Sequence, residues 1–336
     1  MSKRVSLLAA LAGLMLASPA FAQTKVKFTL DWKFEGPATP YLVALDKGYY
    51  KDEGLDVTID PGNGSVESIN RVASGTYDFG FADISALVKF RDNKDNAQLK
   101  AVAMVYDAPP NSIVVLKKSG IKTPKDLEGK TLGAPATDAS FAAWPIFAKA
   151  NGIDVAKVKI ENIGFPVREP MLAQGKVDAI TAFYFSSFFN LRTNGIADDE
   201  IVALTMRDFG VELYGNAVIV SPAFAAAHPK EVAGFVRATI KGLQDTIKNP
   251  DAAIKSLMTR NQIVAEATEL QRLKMCLERN IVTADVKANG IGSIDNARFA
   301  RSIDQIALTF EFKAKPKPED IFDAQYLPGK DQRGVQ

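Results

Sequence analysis

A seven-residue pattern recurs one hundred positions along the chain, and it limits the architectures this chain can adopt. Val72-Ala73-Ser74-Gly75-Thr76-Tyr77-Asp78 is echoed by Leu172-Ala173-Gln174-Gly175-Lys176-Val177-Asp178. Each copy reads as a helix end, a glycine that supplies the left-handed exit, two residues, an aspartate and then an apolar strand. Two further matches lie in the same order: Gly54-Leu55-Asp56-Val57 with Gly152-Ile153-Asp154-Val155, and more loosely Lys27-Phe28-Thr29-Leu30 with Lys130-Thr131-Leu132-Gly133. Such an ordered echo points to two similar lobes, each alternating strands and helices as an α/β sheet requires.

The pattern between the echoes agrees. Lys25 to Leu30 alternates as a strand, Pro40 to Lys47 reads as a helix closed by Gly48, and Ser65 is placed to cap a helix ended by Gly75. Asp107-Ala108-Pro109-Pro110-Asn111 reads as an extended crossing between lobes, because proline fixes its own φ and biases the residue before it. A return crossing is expected near 207–214. Beyond Pro222 the chain becomes mostly helical, with starts at Pro229 and Pro250. The expected division is residues 1–22 as a signal peptide, 23–108 plus 214–336 as the first lobe and 109–213 as the second.

The leader assignment rests on Lys3 and Arg4, the apolar run from Val5 to Ala17, and Ala20-Phe21-Ala22 as a small-x-small cleavage site. Cleavage after Ala22 is expected to release the protein to the periplasm, and with no cysteine beside the site it is not expected to be a lipoprotein. Lys3 and Arg4 account for the whole formal excess of +2 that 41 Lys+Arg hold over 39 Asp+Glu. So balanced a chain lacks the basic footprint of a nucleic-acid binder.

Enzymatic constellations are missing. A single histidine and a single cysteine exclude paired imidazoles, disulfides and a cysteine-based zinc site. Gly129-Lys130-Thr131 fails as a phosphate loop because Pro124 replaces its first glycine, and Glu67 replaces the third glycine of a dinucleotide fingerprint begun at Gly62. There is no Gly-x-Ser-x-Gly elbow. His228 reads as a helix-end residue and Cys276 as a small core hydrophobe.

What remains points to a cleft. In open α/β sheets the ligand crevice lies at the carboxyl ends of the strands. Asp31 and Trp32 follow the first strand, as a hydrogen-bond acceptor and a stacking surface. Asn63, Gly64 and Ser65 offer a close-approaching backbone before a helix, and Asp83 and Ser85 sit where the third strand ends. In the second lobe, Thr137, Asp138 and Ser140 occupy the equivalent of the Trp32 position. The run Phe183-Tyr184-Phe185-Ser186-Ser187-Phe188-Phe189 carries more aromatics than one amphipathic face needs, and Tyr184 is chosen as the cleft-facing one. Tyr214 and Asn216 fall at the return crossing, and Arg168 is a candidate partner for an anionic group.

Several of these stretches carry a family likeness. Tyr41-Leu42-Val43-Ala44-Leu45-Asp46-Lys47-Gly48-Tyr49-Tyr50-Lys51-Asp52-Glu53-Gly54-Leu55-Asp56-Val57, then Ala73-Ser74-Gly75, Asp78-Phe79-Gly80, Asp126-Leu127-Glu128-Gly129-Lys130 and Gly175-Lys176-Val177-Asp178-Ala179, resemble in their order ABC-importer substrate-binding proteins of the thiamine-pyrimidine, sulfonate and nitrate group. The resemblance implies a type II periplasmic-binding-protein fold: two mixed sheets flanked by helices, two hinge crossings and a helical C-terminal part. It also implies closure on a small-molecule ligand and delivery to an ABC permease with its ATPase subunits at the inner membrane. The Leu30-Asp31-Trp32 start is similar to binders of the thiamine-pyrimidine precursor, which stack an aromatic residue there on the ring. Riboflavin and sulfonate or other oxyanion binders share the frame and stand as alternatives, as does a secreted enzyme on the same fold. Yeast pyrimidine-synthase relatives carry a cysteine-rich motif and a histidine that this chain lacks, so no catalytic role, cofactor or metal is expected.

Overall fold

The computed structural model describes residues 23–335; the leader expected over 1–22 lies outside them. Ten described strands form two sheets: β1 (Thr24–Thr29), β2 (Leu55–Asp60), β3 (Phe79–Asp83), β4 (Lys100–Met104), β5 (Asn111–Leu116), β6 (Thr131–Ala134), β7 (Lys159–Asn162), β8 (Ala179–Phe183), β9 (Ile201–Thr205) and β10 (Asn216–Val220). The first sheet runs β2-β1-β3-β10-β4 and the second β7-β6-β8-β5-β9. In each, three parallel strands are followed by one that runs antiparallel to both neighbours, β10 in the first sheet and β5 in the second. Each sheet thus receives its antiparallel strand immediately after a crossing. The fully buried β3 and β10 have helices on both faces, which is why their sequences do not alternate and are polar only at the cleft ends, Asp83 and Asn216.

The sequence echo has a structural cause. Asp78 accepts the Lys27 N–H at 2.8 Å and returns its own N–H to the Lys27 carbonyl at 3.0 Å. Asp178 does the same with Thr131, at 2.8 and 3.0 Å. Each aspartate locks the incoming strand to its parallel neighbour, β3 to β1 and β8 to β6. Gly75 and Gly175 precede these locks at φ of +74° and +70°, a backbone region that favours glycine. The lock makes Thr131 the counterpart of Lys27, so the weaker sequence match is one residue out of register. The Gly54 echo also diverges: Gly54 leads straight into β2, whereas Asp154 caps a short turn before β7.

Both crossings run side by side. Asn216 O accepts the Val105 and Tyr106 N–H groups at 3.0 and 2.9 Å, and Gly215 N–H donates to Tyr106 O at 2.9 Å. The helical C-terminal part packs on the first sheet. Phe235, in the helix Pro229–Lys248, stacks on Phe79 at 4.0 Å and on Tyr50 at 5.0 Å and meets Phe28 edge-on.

This tail also reaches the crossings and the second lobe. Asn280 exchanges hydrogen bonds with Ala108 and accepts the Tyr184 hydroxyl at 2.9 Å. Arg272, in the helix Glu266–Cys276, is buried and donates to the carbonyls of Phe185 and Ser186 and to Asn190.

Candidate functional site

A cavity of about 600 Å³, its open mouth included, lies between the two sheets. Its walls are largely aromatic: Trp32, Tyr41, Phe81 and Tyr106 on one side, Phe165, Phe183 and Phe185 on the other. The Trp32 and Phe165 rings meet edge to face at 4.6 Å, so a side chain after β1 and one after β7 close the box together. Tyr106 lies in the first crossing and packs against Phe81 at 5.1 Å and Phe185 at 6.0 Å, touching both halves.

Asp31 sets the polarity of this box. Its Oδ2 accepts from Asn216 Nδ2 at 2.6 Å and from Ser65 Oγ at 3.4 Å. Burial pushes its carboxyl up to about 7, against the pull of those two donors, with the nearby Asp83 charge adding to the rise. Ser65 is free for this contact because Gly64, not Ser65, holds the N-cap position. Gly64 sits at φ +101°, and the expected Ser65 cap is replaced by a hydroxyl that bridges Asp31 and the Asp83 N–H.

The two rims touch here. Thr137 Oγ1 donates to the Asn63 carbonyl at 3.3 Å, and a Cβ on Gly64 would fall 2.6 Å from the Thr137 carbonyl oxygen. A Cβ on Gly62 would meet the Leu30 carbonyl at 2.0 Å, so the loop can only pass over β1 as glycine.

Two buried ionic groups flank the box. Glu35 accepts from Ser186 Oγ at 2.9 Å and pairs with Arg272 at 3.2 Å; burial nevertheless raises its carboxyl, and Glu269 adds to the rise. Arg168 points its guanidinium toward Trp32 and Phe165, 5.8 and 5.3 Å from the ring centres. Its Nε and Nη2 donate to Glu169 at 3.0 and 2.6 Å, and Nη2 also to Ser187. Burial disfavours this charge, but Glu169 and Asp138 outweigh it and keep the guanidinium firmly charged. Asp138 caps its helix through the Ser140 N–H and accepts from Thr181 at 2.6 Å.

Of the residues singled out from the sequence, Asp31, Trp32, Gly64, Ser65, Asp138 and Arg168 line the cavity. Asn63 and Thr137 form the rim contact. Asp83, Ser85, Ser140 and Asn216 are buried outside the lining, with Asn216 reaching it through Asp31. Tyr184 does not face the cleft: its hydroxyl goes to Asn280, and Phe183 and Phe185 face the cavity instead. Tyr214 turns away too, accepting the Asp295 N–H under the Arg298 guanidinium. Glu35, Tyr41, Tyr106 and Phe165 were not among the sequence candidates. Tyr106 carried a signal as an aromatic residue beside the expected crossing, and Tyr41 as the opening of the family-like stretch.

Two five-stranded sheets joined by paired crossings around a cavity define the two-lobed fold of periplasmic binding proteins. A protein from Bordetella bronchiseptica RB50 has this fold, with a TM-score of 0.73 at 21% identity, covering 91% of this chain and 96% of that one. So does an alkanesulfonate-binding protein of Xanthomonas axonopodis, at 0.67 and 16%, covering 91% and 98%. The family described as NMT1/THI5 like matches residues 37–253, and the chain belongs to it. Its relatives include a formylaminopyrimidine-binding protein of Halalkalibacterium halodurans, 28% identical over 78% of this chain and 80% of that one. A riboflavin-binding protein of Chloroflexus aurantiacus is 27% identical over 86% and 82%. A relative from Legionella pneumophila, 26% identical over 70% and 73%, is named a pyrimidine phosphate synthase.

Proposed function

We propose that this protein is the substrate-binding component of an ABC importer and captures a small planar nitrogen heteroaromatic of the thiamine-pyrimidine-precursor kind. It works in the periplasm, after cleavage behind Ala22, and presents its ligand to a permease and its ATPase subunits. The observation that carries the reading is the Asp31 carboxylate set in an aromatic box. A flat ring gains from stacking on the walls, while a carboxylate held by Asn216 and Ser65 selects a ring edge that donates N–H groups. Asp31 lies in a low-dielectric site, so it favours a ligand that supplies the missing donor or shares a proton with it.

The sulfonate alternative finds less support in this cavity. Its one buried lining cation, Arg168, has Nε and Nη2 engaged by Glu169 and Ser187, which leaves only its Nη1 edge for a ligand. Asp31, Glu35 and Asp138 face the same space. An oxyanion would find one free guanidinium edge there, set among three buried carboxyl groups. Turnover is also unsupported: His228 lies on the helix end beside Phe224, remote from the lining, and no lining hydroxyl has an imidazole partner.

Thermal-shift screening followed by calorimetry tests the assignment. A ligand at one hundred times its dissociation constant adds about 2.7 kcal/mol to a state that alone binds it. The expected ranking puts 4-amino-5-hydroxymethyl-2-methylpyrimidine and its formylamino relative above alkanesulfonates. The reverse ranking overturns the reading, and a riboflavin response above the pyrimidines would move the ligand to the flavin class.

A further inference from the structure

Directly behind the Asp31 wall, at the hinge end of the cleft, three buried side chains lack the hydrogen bonds their chemistry demands. Asp83 closes β3, Asn111 opens β5 just after the first crossing, and Asn216 opens β10 just after the second. None is more than 1% exposed. The β3–β10 register sets Asn216 opposite Asp83. The Asn111 amide lies close enough to Asp83 to favour its charged form, although it makes no hydrogen bond of good geometry. Both polar atoms of Asn111, Oδ1 of Asn216, Oδ2 of Asp83 and Oγ of neighbouring Ser85 are buried without a partner.

Buried polar atoms are nearly always paired, because losing water without replacing it is expensive. The local fold does not use these. Asp83 Oδ1 caps the following helix at Ala86, which leaves Oδ2 over. Asn216 spends its Nδ2 on Asp31 and keeps its carbonyl. The cluster joins the ligand cavity through two shared residues. Asp31 accepts from Asn216, and Ser65 Oγ stands between the Asp31 carboxylate and the Asp83 N–H.

We infer that this cluster is a polar compartment of the ligand site, receiving a hydroxyl- or amide-bearing arm of the ligand while the ring occupies the aromatic box. The inference rests on the heteroaromatic reading given above. The Asn216 carbonyl can only accept, the ionised Asp83 Oδ2 likewise, and Asn111 brings both a donor and an acceptor. The matching group must therefore donate and accept at once. A hydroxyl or a secondary amide does so; a methyl offers neither, and a sulfonate only accepts. Specificity by this route is steep, because a ligand lacking the arm leaves the compartment unpaired.

The test compares two probes by calorimetry: 4-amino-5-hydroxymethyl-2-methylpyrimidine and the analogue whose hydroxymethyl is a methyl. The natural chain is expected to prefer the hydroxymethyl compound by about tenfold or more, the equivalent of one well-placed hydrogen bond. In Asn111→Leu that preference shrinks to about threefold or less. Asn111→Ser, smaller and still polar, gives an intermediate preference and serves if the leucine variant does not fold. A preference that survives undiminished in both variants overturns the compartment, as does equal binding of the two probes by the natural chain. Binding of neither probe removes the heteroaromatic reading itself, and this inference with it.

Discussion

Asp31→Asn separates what this carboxylate does for a ligand from what it does to the fold. Burial holds Asp31 at about 7, against an ordinary 3.8. One unit is worth about 1.4 kcal/mol, so a charged Asp31 weakens the ligand-free native state by up to about 4 kcal/mol above pH 8. The native state binds this proton more tightly than the unfolded chain does. Its contribution to stability is therefore full below about pH 4, is lost as pH rises toward about 7, and stays lost above that. Asp83, also raised to about 7 by burial, acts in the same window and the same direction. The substituted asparagine side chain would keep the shape, accept from Asn216 through its amide oxygen and never ionise.

Melted without ligand at pH 8, Asp31→Asn should exceed the natural protein by about 4–8 °C, taking roughly 2 °C per kcal/mol for a chain of this size. At pH 5 the natural Asp31 is protonated in the folded state, and the gap should fall to less than half. Pyrimidine binding should weaken by roughly 10- to 100-fold, because a charge-assisted hydrogen bond contributes about 1.5–3 kcal/mol. Paired melts at the two pH values and a titration settle the matter. An unaltered melting point at pH 8, or a gap that ignores pH, would refute the burial argument; unaltered binding would remove Asp31 from the site.

Three further perturbations probe other parts of the structure. Trp32→Ala should weaken a stacked ligand by about tenfold or more, and ligand quenching of tryptophan fluorescence should vanish with it, since Trp144, the other tryptophan, is buried outside the cavity lining. Gly64→Ala places a methyl 2.6 Å from Thr137 O at a φ of +101°; it should keep the rims apart, lowering affinity and enlarging the radius of gyration measured by scattering with ligand present. Asp178→Ala removes the acceptor of the Thr131 N–H and should cost about 1–3 kcal/mol, read as faster hydrogen exchange confined to β6 and its neighbours; uniform protection would speak against a local lock.

The sequence exposes those parts of the fold that depend on local chemistry. The aspartate lock needs its carboxylate at a fixed offset from the glycine exit, so it left matching residues in both lobes. Asp31 and Trp32 could be placed because they follow a strand whose carboxyl end faces the crevice. Tyr184 shows where such reasoning stops. In an unbroken aromatic run, cleft facing depends on where the strand ends and the helix begins, and β8 ends at Phe183. Ser65 looked like a cap because nothing local revealed that Gly64 would take the left-handed position. Glu35 could not be found at all: its partners Ser186 and Arg272 lie more than 150 residues away along the chain.

The C-terminal helices change the mechanics of the molecule. Two adjacent crossings alone would act as a door on two pins, free to swing through a wide arc. Arg272 and Asn280 add a third mounting point, anchored in the body that carries Phe235 yet bonded to Phe185, Ser186 and Tyr184 across the gap. Opening must either carry these helices along or break buried bonds one after another. Any such swing would therefore be restrained far from the pins, and a ligand entering the aromatic box would meet walls already near their final spacing.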